Sequence, residues 1–272
     1  MSDRVAVAMS IYYSDPVEYV SIAIESILNQ SYQNVDLFIQ VDGMLPDCTY
    51  KLLSSYASHP NIFIDYDDEN KGLAYRLNQI IDKILILGTY KYVARMDADD
   101  ISRNDRIEKQ VAFFNRNANV DVIGSDVIEI DGEGSHLFYK KMSSSHQNML
   151  RNIIKKCPFN HPSVMFKVSL FIEGFRYKSW LKNTQDYYLW IDLLAKGKIF
   201  SNLNEPLLFF RVDDAFHQRR GWRKAVNDFN SRMYAFKNLD VISVSNFSHV
   251  VMLFILRLSP AFIKKTAYKF LR

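Results

Sequence analysis

The sequence is poor in the residues that hold small scaffolds together. It has two cysteines in 272 residues, Cys48 and Cys157. That excludes a disulfide framework and a cysteine-rich zinc site, and it fits a reducing compartment. No run of about 18 apolar residues occurs, so no membrane-spanning helix is expected. The first ten residues carry Asp3 and only a short apolar stretch, which does not read as a secretory signal. Internal repeats, low-complexity tracts and Gly/Ser-rich linkers are also missing, which argues against a repeat array or a string of loosely joined modules. With 48% apolar and 24% charged residues, wholesale disorder is excluded too.

Charge is present but unevenly spread. The total is only +4. Residues 217–272 hold eleven Lys/Arg against Asp228 and Asp240, so this stretch carries +9 and the preceding 216 residues carry −5. Such asymmetry points to an anionic partner for the basic part. Residues 250–256 are strongly apolar, and Pro260 breaks the segment. Lys264, Lys265, Lys269 and Arg272 then alternate with Phe262, Ile263, Tyr268, Phe270 and Leu271. That is an amphipathic basic tail suited to peripheral contact with an anionic membrane. A helix pair packed on the protein's own core, with a solvated basic face, remains the alternative. No nucleic-acid motif is present, and no nucleic-acid partner is expected.

The first half alternates strand and helix signals. Apolar runs at 5–12, 35–41, 62–66 and 92–96 have the length of buried strands. Between them, 17–28, 47–58 and 73–87 read as helices. Asp15 is the expected N-cap of the first, with Pro16 at its first helical position and Glu18 completing the cap. The rhythm predicts an α/β fold, a Rossmann-like, mostly parallel central sheet with helices on both faces. The second half is less regular. Helices are expected at 103–115 and 185–195, strands at 163–166 and 206–212, and a turn at Asp131-Gly132. The chain divides into a catalytic domain, 1–214, and a helical, basic tail, 215–272.

In such sheets, ligands bind beyond the carboxyl ends of the strands. Ser10 and Tyr12 end the first strand, Asp42 the second, Asp67 to Asn70 follow the third, and Asp97, Asp99 and Asp100 follow the fourth. Carboxylates at several strand ends converge negative charge on one rim. Asp97 and Asp99 share a face if the strand geometry continues. Together they suit a hard divalent cation, Mn²⁺ or Mg²⁺, which takes oxygen ligands and removes the repulsion between them.

Several blocks together resemble the family-2 glycosyltransferases, which have the A-type nucleotide-diphospho-sugar transferase fold. They are Glu25-Ser26-Ile27-Leu28-Asn29-Gln30-Ser31-Tyr32, Val41-Asp42-Gly43, Asn70-Lys71-Gly72-Leu73-Ala74 and, most telling, Ala94-Arg95-Met96-Asp97-Ala98-Asp99-Asp100. Arg106, Lys109-Gln110, Gly124-Ser125, His161-Pro162-Ser163-Val164, Gln185-Asp186-Tyr187-Tyr188-Leu189-Trp190 and residues 207–211 complete the pattern. The resemblance covers about residues 4–212 and is nearest to bacterial enzymes that build O-antigen or capsule.

The resemblance implies roles. Asp42 would contact the nucleotide base, with Ser10, Tyr12, Asn70 and Lys71 in the same pocket. Asp97 would sit near ribose and metal, Asp99 would bind the metal on the diphosphate, and Asp186 would be the catalytic base. Gln185 stands where the family usually has Glu. His161 is either a contact to the acceptor or a packed histidine. Arg211 either touches the diphosphate or neutralises an acidic neighbour, and Arg95 serves as a counter-charge to the aspartates. His217 is a further candidate metal ligand, although its spacing departs from the family's. The implied reaction is inverting transfer of a hexose, galactose or glucose, from a UDP-sugar to a lipid-linked sugar acceptor on a polyprenyl diphosphate. It would run at the cytoplasmic face of the bacterial inner membrane, with the enzyme bound peripherally. A transferase for UDP-GlcNAc or UDP-GalNAc and a non-catalytic nucleotide-sugar binder are the alternatives. A nucleotidyltransferase is disfavoured, because the loop after the first strand, residues 10–15, contains neither Gly nor Lys.

Overall fold

The computed structural model describes residues 3–212 and 222–258. Four strands, β1 (Val5–Tyr12), β2 (Val35–Asp42), β3 (Ile62–Asp65) and β4 (Tyr92–Arg95), run parallel in the order β3-β2-β1-β4. Three helices connect them, α1 (Val17–Leu28), α2 (Asp47–Ser55) and α3 (Leu73–Leu87). Parallel neighbours need such crossovers, and the crossovers bury both faces of the sheet. Along β1 the side chains alternate between two cores. Ala6 and Ala8 face α3, while Val5, Val7, Met9 and Ile11 face α1.

Beyond β4 the sheet becomes mixed. A two-residue strand, β5 (Ile101–Ser102), precedes α4 (Arg106–Arg116). Then come the long β6 (Val122–Ile130), β7 (His136–Lys140), α5 (His146–Asn152), β8 (Met165–Lys167), α6 (Ser169–Ile172), α7 (Gln185–Ala195) and β9 (Phe200–Arg211). Strand β8 lies antiparallel between β4 and β6, and β9 is parallel to β6. The rim order is β4-β8-β6-β9-β5. This carries the loops of the second half back to the carboxyl ends of the first.

Helix α1 corrects one expectation. Its N-cap is Pro16, with no side-chain cap bond. Asp15 instead accepts from the Tyr12 main-chain N–H at 2.9 Å, turning its carboxylate back toward the strand ends. The main-chain N–H groups of Tyr19 and Val20 both donate to the Pro16 carbonyl.

Two helices follow, α8 (Trp222–Asn238) and α9 (Val244–Leu258). Helix α8 packs on α7, with the Tyr188 and Tyr234 rings 4.7 Å apart. Ala235, Phe236, Leu239 and Val250 join the larger core. The expected boundary at 214/215, the ligand candidate His217 and the basic tail from Phe262 onward lie outside the described residues. No helix among the described residues is long and apolar enough to cross a membrane.

Candidate active site

Asp42, at the end of β2, is a carboxylate with its partners supplied. Its Oδ1 accepts from the main-chain N–H of Lys71 (2.8 Å) and from Arg76 Nε (2.7 Å), and its Oδ2 from the N–H of Gly72 (3.0 Å). Arg76 is wholly buried and also pairs with Asp67. The segment Asn70-Lys71-Gly72 is therefore tied to the end of β2. Gly43 takes φ +89°, and a Cβ there would meet the Asn70 side chain at 3.2 Å, so this approach favours glycine. Ser10 is half-buried and Tyr12 exposed on the neighbouring end of β1, while Asn70 and Lys71 are exposed. Sequence reasoning missed Arg76. Its signal was a lone arginine on the buried face of a predicted helix.

The end of β4 is the opposite case. Asp97, Asp99 and Asp100 each offer an oxygen within 4.8 Å of the others. Asp100 is 1% exposed; its Oδ1 accepts from the Arg211 main-chain N–H, and its Oδ2 has no hydrogen-bond partner among the described residues. Burial, then the charge of Asp97, pushes the Asp99 carboxyl up to about 6. Asp100 is raised well above the ordinary range by burial and by both neighbours. Asp15, not anticipated here, is pushed up to about 7 by burial and by the charges of Asp99 and Asp97. Crowded, desolvated carboxylates with an orphaned oxygen fit a hard divalent cation.

Arg211 donates from Nε to the Asp99 carbonyl and from Nη1 to the carbonyls of Asp131 and Gly132, with its guanidinium over the Tyr19 ring. It clamps the aspartate turn to the β6–β7 turn. Its Nε and Nη1 are thus taken by main-chain carbonyls of the two turns.

Asp186 is the second residue of α7, two after the N-cap Thr184, whose φ of 62° is the sole positive value among the described non-glycine residues. Burial raises the Asp186 carboxyl above its ordinary range; its own and the Tyr187 main-chain N–H groups and the charges of Arg95 and Arg232 oppose the rise. His161, in a 3₁₀ turn at His161–Ser163, bonds the Tyr177 hydroxyl through Nε2 at 2.8 Å and lies against the Trp190 ring. Burial and Arg95 hold it well below its ordinary value, so it is neutral at pH 7. The Tyr177 hydroxyl feels Arg95, Asp186 and Asp97 together. Asp97 is thus ion-paired with the buried Arg95, whose charge is also felt at His161 and Asp186.

A cavity of about 710 Å³ lies elsewhere, lined by Arg4, Asp36, Tyr90 and Lys91 at the amino ends of the strands. Asp36 there is already paired with Arg4 and Tyr90. Size alone does not mark the chemistry.

The model of glycosyl transferase family 2 matches residues 7–175. The chain belongs to glycosyl transferase family 2. The O-antigen biosynthesis glycosyltransferase WbnJ of Escherichia coli is 30% identical to this family-2 chain over 252 residues, 90% of this chain and 92% of that one. A UDP-Gal:alpha-D-GlcNAc-diphosphoundecaprenol beta-1,3-galactosyltransferase of Escherichia coli is 27% identical over 99% and 98%. Among solved structures, S. aureus TarS 1–349 with UDP-GlcNAc superposes with a TM-score of 0.69 at 15% identity, over 93% of this chain and 72% of that one. A mannosyltransferase of Pyrobaculum calidifontis with GDP-Man and Mn²⁺ gives 0.61 at 16%, over 93% and 69%. The fold is that of the A-type glycosyltransferases, and the activity class is glycosyl transfer.

Proposed function

We propose that this chain is an inverting hexosyltransferase. It moves galactose or glucose from a UDP-sugar to a sugar on a polyprenyl-diphosphate lipid, forming a β bond in O-antigen or capsule synthesis. The observation that carries the reading is the presence of an under-compensated carboxylate cluster at the end of β4 together with a half-buried, raised carboxyl at Asp186. The UDP-galactose enzyme above supports the donor and the lipid carrier as candidates.

Asp42 lies under the base, where Oδ2 accepts one bond from the protein and keeps a lone pair for a ring N–H. Ser10, Tyr12, Asn70 and Lys71 line that pocket. Asp97 and Asp99 would hold Mn²⁺ or Mg²⁺, with Asp100 beside them. A bound divalent cation supplies positive charge to the diphosphate oxygens as the leaving group departs. Asp186 takes the proton of the acceptor hydroxyl as its oxygen bonds C1. The bond from C1 to the diphosphate oxygen breaks, and its electron pair leaves with UDP. Attack on the face opposite the leaving group inverts the centre, through a transition state with oxocarbenium character.

Residues 1–214 are the catalytic part, and 215–272 bind the cytoplasmic leaflet. Helix α9 supports this membrane reading. Val244, Phe247, Val251, Met252 and Ile255 are exposed along one side, with no charged residue between Asp240 and Arg257.

The test is a donor screen. UDP-Gal, UDP-Glc, UDP-GlcNAc, UDP-GalNAc and a GDP-sugar are incubated with the protein in Mn²⁺ or EDTA, with and without a lipid-linked sugar acceptor. Metal-dependent UDP release from UDP-Gal or UDP-Glc is expected. Release confined to an N-acetyl sugar would replace the hexose assignment, and metal-independent release would remove the cation from Asp97 and Asp99.

A further inference from the structure

Four arginines are buried at or near the active rim: Arg76, Arg95, Arg106 and Arg211. Three have their guanidinium groups occupied by the protein. Arg76 donates to Asp42, Asp67, Gln79 and the Glu69 carbonyl. Arg106 donates to Gln110 and to the Arg95 and Val164 carbonyls. Arg211 donates to the three carbonyls described above. Arg95 differs. It is 2% exposed, its Nη2 is ion-paired with Asp97, and its Nε and Nη1 have no hydrogen-bond partner among the described residues. Leaving a buried donor unpaired costs about 1–3 kcal/mol, more when the group is charged.

The position of Arg95 says what the open donors face. Arg95 lies between the aspartate turn, where it pairs with Asp97, and the end of the His161–Ser163 turn, where its main-chain N–H donates to the Val164 carbonyl at 2.9 Å. Its charge is felt by Asp99 and Asp100 in the first group and by His161, Tyr177 and Asp186 in the second. In the reading above, which this inference rests on, the first group handles the leaving diphosphate and the second the acceptor hydroxyl. Between a leaving group and a nucleophile lies the sugar being transferred. The Nε–H and Nη1–H groups point to different sides of the guanidinium and can each donate to a separate hydroxyl, and the adjoining Asp97 carboxylate is an acceptor. That combination matches neighbouring hydroxyls of a pyranose.

We propose that Arg95 binds the hydroxyl groups of the transferred sugar and is a specificity-determining residue of this site.

The test separates the sugar from the nucleotide. Wild-type chain, Arg95→Lys and Arg95→Met are titrated calorimetrically, in Mn²⁺, with UDP and with the four UDP-sugars of the screen. Wild type should bind its preferred UDP-sugar tighter than UDP. In both variants UDP affinity should stay within about threefold of wild type, while the UDP-sugar loses about tenfold or more and falls to the level of UDP. Equal losses for UDP and UDP-sugar would assign Arg95 to the diphosphate or the aspartate turn and overturn the proposal. So would unchanged binding of both, or a wild type with no preference for UDP-sugar over UDP. Should Arg95→Met fail to fold, Arg95→Lys keeps the charge and carries the test. A wild type that binds neither ligand would instead overturn the donor assignment itself.

Discussion

Two strand ends of one parallel sheet carry aspartates, and the protein treats them in opposite ways. At the end of β2, Asp42 receives Arg76 and two main-chain N–H groups. At the end of β4, Asp97, Asp99 and Asp100 crowd together with Asp15, and one buried oxygen has no partner among the described residues. A carboxylate whose partners are built in holds backbone in place. One that the fold leaves short of positive charge is poised for a ligand that brings it. The same residue type at equivalent sheet positions is thus supplied with protein partners in one case and left short of them in the other.

The largest effect should come from a carboxylate that stands apart from both. Asp186→Asn should lower transfer by about 10³-fold, the scale of a general base. Donor binding should stay near wild type, because the proposed mechanism uses Asp186 on the acceptor hydroxyl alone. Since burial raises its carboxyl above the ordinary range, wild-type turnover should fall on acidification at a pH above that range, and the variant should lose this limb. Near-normal turnover in the variant would remove Asp186 from the role.

The contrast between the two strand ends is sharpest in stability. Asp42→Asn leaves Arg76, wholly buried, with Asp67 as its remaining carboxylate partner. Breaking such a pair costs about 3 kcal/mol, readable as a lower urea midpoint. The same change at Asp99 should act with opposite sign in EDTA at pH 8, because it removes a charge from a crowded, desolvated group. Asp99→Asn should then be more stable than wild type, yet lose about 30- to 100-fold in Mn²⁺-dependent donor binding. If both variants are destabilised alike, the two strand ends do not differ as described.

Much of this was legible in the sequence. β1, α3 and α7 fall where their periodicities put them, because each buries a full apolar face and has clear ends. The carboxyl-end rule located Asp42 and the Asp97–Asp99 pair before any coordinates. The rest was hidden for identifiable reasons. β6 and its parallel pairing with β9 depend on contacts across some 80 residues, which local pattern does not encode. Asp15 looked like a helix cap, since Asp-Pro is a strong local signal; proximity to Asp99 is a property of the folded sheet. Arg76 read as an ordinary basic residue, and Arg95 as a counter-charge to the aspartates. Only burial and a count of their donors separate a structural arginine from an open one.

The smallest effect tests whether Asp15 belongs to the crowded end. Its carboxyl is raised to about 7 from 3.8 by burial, then by the charges of Asp99 and Asp97, against the pull of the Tyr12 N–H and Arg95. A group whose folded pKa is raised contributes stability that is fully present below the unfolded value and is lost as pH rises through the folded one. At pH 8 in EDTA, wild type therefore carries an unfavourable ionised Asp15, and Asp15→Asn relieves it. The variant should melt about 3 °C higher there. The gain should shrink as pH falls through about 7 and vanish near 4, where both side chains are neutral. Adding Mn²⁺ at pH 8 should also shrink it, because the cation compensates the carboxylate only in wild type. A gain that ignores both pH and Mn²⁺ would mean that Asp15 acts on the β1–α1 turn alone.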